Sequence, residues 1–217
     1  MIALLLAANY LDLRIEGWPV RVDRAFATSK PAMWRDVRLE LSNQLYRITR
    51  AGPAPALVKL RQVTVWVHET SPETACMAYH PGAQWLREHK MNPAMERGVE
   101  IGNAANFVSW THQQPWMLLH EMAHAYHDRE LPGGFGNLDL KSAFDRAIGE
   151  KRYDSVLHWQ GKQSRHYAAS NPMEFFAEAS EAYFGQNDFF PFVRAELKTS
   201  DPETFALVER LWGATAK

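Results

Sequence analysis

An α+β fold, with a small mixed sheet in the first half and a mainly helical second half, follows from three features of the sequence. Residues 10–27 alternate apolar and polar side chains, residues 31–50 carry an apolar stripe at helical spacing, and beyond residue 115 several helical segments open at proline and close at glycine. At 217 residues the chain is long enough for one sizeable core. The organisation expected is a single domain over residues 1–217, with a sheet lobe at about 10–110 and a helical lobe at about 115–217.

Leu11, Leu13 and Ile15 alternate with Asp12, Arg14 and Glu16, Gly17-Trp18-Pro19 interrupts, and Val20 and Val22 resume. That pattern reads as a hairpin. Trp34, Val37, Leu41, Leu45 and Ile48 line one side of a helix that starts near Ser29 and ends at Gly52. Residues 62–68, with Val63, Val65 and Val67, read as a strand, and residues 71–106 as irregular structure with one short strand over 99–103. An exposed strand there could pair with an extended peptide. Pro115 opens a helix to about Glu130, stopped by Leu131-Pro132-Gly133-Gly134. Leu140, Phe144, Ala147 and Ile148 mark a second, Asn171-Pro172 opens a third that closes near Gly185, and Asp201-Pro202 opens a fourth.

The composition is that of a soluble globular protein, 46% hydrophobic and 23% charged. A net charge of -1, with no basic tract, argues against a nucleic-acid partner, and no apolar run reaches the roughly 18 residues of a membrane span. The opening MIALLLAA has two readings: a signal remnant, implying a secreted or periplasmic protein, or a first structural segment of a cytoplasmic one. Cys76 is the single cysteine and reads as a small packed side chain. His80 and His112 read as surface or hinge residues, and Phe189, Phe190 and Phe192 as cover for the helical core.

HEMAHAYH, residues 120–127, sets polar groups into a helix that is apolar on nearly every side. Such groups are costly to bury without a partner such as a metal ion. His120 and His124, four residues apart, present two imidazoles to one point, and Glu121, one residue round, can hold a water instead. Zinc would bring that water's pKa towards about 7, with Glu121 taking its proton. The H-E-x-x-H-x-x-G-x-x-H arrangement is absent, since His stands at 127 and Glu at 130. His127, two turns from His120, reads as a polar neighbour or solvent-facing residue.

The third ligand is sought in NPMEFFAEASEAYF, residues 171–184. Glu174 reads either as part of a capping box begun by Asn171 or as the carboxylate that completes a His, His, Glu set. The second reading also accounts for Glu178, one turn on, as the acceptor of a hydrogen bond from a ligand histidine. Tyr167 in SRHYAAS reads either as a donor to a developing oxyanion, with His166 and Arg165 as rivals, or as a packed aromatic that anchors the loop before Asn171.

HEMAH followed about fifty residues later by EFFAE, with a tyrosine seven residues before the first glutamate, resembles the glutamate-ligand zincin metallopeptidases of the anthrax lethal factor and bacterial Pro-Pro endopeptidase type. The resemblance covers roughly residues 115–185. It implies a zincin-like metallopeptidase domain with one Zn²⁺ on His120, His124 and Glu174, Glu121 as general base, Tyr167 pointing into the site, and a peptide or protein substrate. His127 and Asp128 depart from that pattern, and the first half offers no match to a substrate-binding element. Two rivals remain: a non-catalytic, metal-stabilised binding domain, and a metal-free protein in which His120 and Glu174 form a buried polar network.

Overall fold

A computed structural model of the chain describes residues 9–213, so MIALLLAA lies outside the described residues. Strands β1 (Tyr10–Ile15) and β2 (Trp18–Asp23) form an antiparallel hairpin. Their turn is Glu16-Gly17, with φ of 49° and 93°, the positive pair that matches a twisted two-residue hairpin. The interruption is therefore narrower than expected. Trp18 and Pro19 belong to β2, and Trp18 is fully buried. Asp23 accepts the Phe26 amide and starts α1 (Arg24–Ser29), and α2 (Pro31–Ala51) buries Val37, Leu41, Leu45 and Ile48 as the stripe predicts.

After α3 (Ala54–Leu60) come β3 (Val65–Val67), β4 (Met77–His80), α4 (Ala83–Glu88), β5 (Gly98–Ile101) and α5 (Ala104–Trp110). Residues 71–106 thus hold a second strand and two helices besides the one strand expected. The sheet order is β1-β2-β3-β5-β4, with β2, β3 and β5 parallel and the two outer pairings antiparallel. β5 is central. The strand over 98–101 therefore has no free edge to offer a peptide, and β4 is the edge strand on that side of the sheet.

The sheet has two unlike faces. Val65, Val67, Val99 and Ile101 enter the main core, whereas Trp66 packs with Leu86 and Met95 on the other side. Glu100 is 1% exposed and accepts hydrogen bonds from Thr74 Oγ1 (2.7 Å) and, at its two oxygens, from His68 Nδ1 (2.7 Å) and His80 Nε2 (2.9 Å). Burial alone would raise its pKa, but these donors outdo burial and hold the carboxyl far below the usual range. His80 is therefore a buried clamp on β4, not a surface or hinge residue; His112 is exposed.

The second half contains α6 (Met117–Glu130), α7 (Leu138–Gly149), a small hairpin of β6 (Val156–Leu157) and β7 (Gln163–Ser164), then α8 (Pro172–Phe184), α9 (Arg194–Ser200) and α10 (Pro202–Leu211). One hydrophobic cluster runs through both halves, joining Val20 and Leu41 to Leu118 and Phe176. α6 is seated by α2. Gln44 Oε1 accepts the Leu118 amide at 3.0 Å, one of the donors a helix start leaves without a partner, and the Arg47 guanidinium lies over the Trp116 ring. A Cβ at Gly185, the cap of α8, would lie 1.9 Å from the Trp116 ring, so the chain passes this ring only as glycine. Among the described residues, no helix is long and apolar enough to cross a membrane.

Candidate metal centre

Two neighbouring helices supply the polar groups. α6 is apolar enough to run through the protein, with Leu118, Leu119, Met122 and Ala123 buried, and it carries His120 and His124 on one side. α8 starts at Asn171, whose side chain accepts the amides of Met173 and Glu174, both at 2.9 Å. Its small residues Ala177 and Ala179 are buried, and its acids Glu174, Glu178 and Glu181 recur at i, i+4 and i+7 along one face.

Glu174 Oε2 stands 2.9 Å from His120 Nε2 and 3.3 Å from His124 Nε2. The two rings are 4.8 Å apart between centroids and nearly perpendicular, at 83°. His120, His124 and Glu174 each offer one ligand atom, and the three atoms all lie within 4.8 Å of one another. Ligands about 2.0–2.1 Å from a tetrahedral ion are spaced about 3.3 Å apart, so the observed spacing fits zinc. Two imidazoles and one carboxylate are also a donor set suited to that ion. Asn171 does the capping, and the Glu174 carboxylate is turned to the histidines. Burial would raise the Glu174 pKa, but the hydrogen bonds and charge of His120 and His124 hold it far below the usual range.

The other nitrogen of His120 corrects an expectation. His120 Nδ1 is 2.8 Å from Glu181 Oε1 and 3.4 Å from Glu178 Oε1, so Glu181 is the closer partner. Glu178 Oε2 instead accepts Asn187 Nδ2 at 2.8 Å. Both acids are buried, 4% exposed. Burial, then the charge of Glu181, pushes the Glu178 pKa well above its ordinary value, and burial raises Glu181 as well. Burial would lower the pKa of His120, yet the hydrogen bonds to Glu174 and Glu181 outweigh it and raise it well above normal.

His120, Glu121, His124, Tyr167 and Glu174 line one cleft of about 490 Å³. Glu121 Oε2 accepts the Tyr79 amide of β4 at 2.8 Å, and the Tyr79 hydroxyl donates to Asp128 at 2.7 Å, so the edge strand is fastened to α6 at two points. Tyr167 is 50% exposed, and its ring stacks over His120 with centroids 6.2 Å apart. Burial, then the charge of Glu174, raises its pKa, which keeps the phenol protonated as a donor. The rival donors do not line this cleft. His166 is buried, its Nδ1 accepting the Ala168 amide and its pKa pushed down to about 3, and Arg165 donates to the Ala169 carbonyl.

His127 is fully buried, not solvent-facing, between Phe135 and Phe176. Neither ring nitrogen has a hydrogen-bond partner among the described residues, and burial pushes its pKa down to about 4. Cys76 is buried beside Met117, and burial, then Glu121, raises its thiol to about 12. Comparison of the chain with protein-family models, curated proteins and solved structures returns no match.

Proposed function

We propose that this chain is a zincin-like zinc metallopeptidase, with one Zn²⁺ held by His120, His124 and Glu174 and a peptide or protein as substrate. The observation that supports this most is the convergence of three ligand atoms from two helices at a spacing that suits zinc, on the wall of an open cleft. The ion, when bound, supplies Lewis acidity that activates water and polarises a carbonyl. Glu121 takes the proton of the attacking water and passes it to the leaving amine. Tyr167 donates its phenol hydrogen to the oxygen that gains charge. Glu181 accepts the Nδ1 hydrogen of His120, which leaves Nε2 free to ligate and sets the ring's orientation.

The test is the Glu121→Gln variant. It should retain about one zinc per chain and lose hydrolysis of a diverse peptide library, because the role given to Glu121 is proton transfer rather than ligation. Loss of zinc from the variant would make Glu121 a structural group. Full zinc in the parent protein with no chelator-sensitive cleavage would point to the metal-stabilised binding domain, and no zinc in untagged protein would point to a metal-free polar network.

A further inference from the structure

We infer that the cleft takes internal stretches of polypeptide with apolar or aromatic residues beside the reacting bond, and excludes acidic residues and free C-terminal carboxylates there. This rests on the hydrolase reading above and specifies its substrate. The side chains that surround the candidate centre fall into two kinds. Met77, Pro81, Trp110, Phe135 and Met173 are apolar, and Trp110, 39% exposed, lines the cleft along with Tyr167 as a second large aromatic surface open to solvent. Exposed aromatic surface in a cleft is a docking surface for apolar side chains.

The other kind is acidic, set beside the two histidines. Glu121, Glu174, Glu178 and Glu181 all reach the cleft, and among the described residues no lysine or arginine lines it. A divalent ion is matched by Glu121 and Glu174, so the wall around it carries no excess positive charge and those two carboxylates still face the cleft. A substrate carboxylate one residue from the bond would enter that field at reduced dielectric, where like charges are not screened as in water. Enclosed carboxylates are held by bidentate arginine or by lysine, and neither is present here to receive a chain end.

The experiment uses the zinc-loaded protein and a mixed peptide library with free and amidated C-termini, read by mass spectrometry. Cleavage sites should be depleted of Asp and Glu at the two flanking positions by about tenfold, with apolar and aromatic residues enriched and no single residues released from free C-termini. Trp110→Lys, a change on the rim away from the ligands, should raise cleavage of acidic sites relative to apolar ones. Cutting at acidic sites as readily as at apolar ones, or trimming from the C-terminus, overturns the inference and leaves the hydrolase standing. A second arm measures binding of amidated apolar peptides and their Asp-substituted partners to zinc-loaded Glu121→Gln. A preference of about tenfold for the apolar peptides without any cleavage by the parent protein sustains the inference and removes the hydrolase. Absence of both binding and cleavage removes both.

Discussion

Glu178 and Glu181 sit one turn apart on α8, and substituting each by Gln should have opposite consequences. Glu181 makes the 2.8 Å contact to His120 Nδ1, so Glu181→Gln keeps an acceptor but removes the charge that orients the ring. Loss of such a support weakens metal binding by about 10–100-fold, or about 1.4–2.7 kcal/mol. Glu178 is at 3.4 Å, outside good hydrogen-bond range, and its replacement should change zinc affinity little. It should instead stabilise the metal-free protein, since Gln still accepts the Asn187 hydrogen bond and relieves repulsion between two buried acids. The sign follows from the pKa. A carboxyl whose folded value is raised costs nothing below its unfolded value of 4.5 and becomes a growing penalty as the pH climbs above it. Glu178→Gln should therefore gain about 1–2 kcal/mol at about pH 8 and almost nothing at about pH 4. Competition with a chromophoric chelator measures affinity, and urea unfolding of chelator-stripped protein measures stability. Equal loss of zinc affinity in the two variants, or destabilisation by Glu178→Gln at alkaline pH, would refute the reasoning.

Three further changes test other parts of the structure. Tyr167→Phe should lower kcat about 10²-fold with KM little altered, and an unchanged kcat in steady-state assays would remove the phenol from the chemistry. His127→Phe should relieve an acid penalty: with its folded pKa near 4 and its ordinary value at 6.5, His127 lets stability drain away as the pH falls through that window. The variant should be about 2 kcal/mol more stable than the parent at about pH 5, and a Tm below the parent's there would contradict this. Glu100→Ala strands three donors on the far face of the sheet and should cost about 3–5 kcal/mol, against about 1–2 for Glu100→Gln, in which His68 can adopt its other tautomer. A loss of under about 1 kcal/mol on urea unfolding of Glu100→Ala would show that the network is not a clamp.

The long helices were legible in the sequence, because α2 and α10 each bury a stripe at helical spacing, α6 and α8 are apolar on most sides, and α8 and α10 open at Asn171 and Asp201, whose side chains accept amides of the first turn. β4 was not. Its four residues have no period of their own, and they become a strand only by pairing with β5 across a separation that single-sequence patterns do not encode. The meeting of His120, His124 and Glu174 was expected from spacing along each helix. The choice between Glu178 and Glu181 depends on the angle at which α8 crosses α6, and spacing alone does not carry it; the i, i+4, i+7 recurrence of the three acids was the available signal. The burial of His80 and His127 was not legible for a related reason. A histidine's burial is decided by what packs over it, Trp85 and Glu100 in one case and Phe135 with Phe176 in the other.

The passage of Gly185 beneath Trp116 ties together two positions nearly seventy residues apart in the chain. In descendants of this sequence the two should vary as a couple: a methyl gained at 185 demands a smaller ring, or none, at 116. Because the helix that follows 116 brings in both histidines, drift at either site would be felt at His120 and His124 before it was felt in the core.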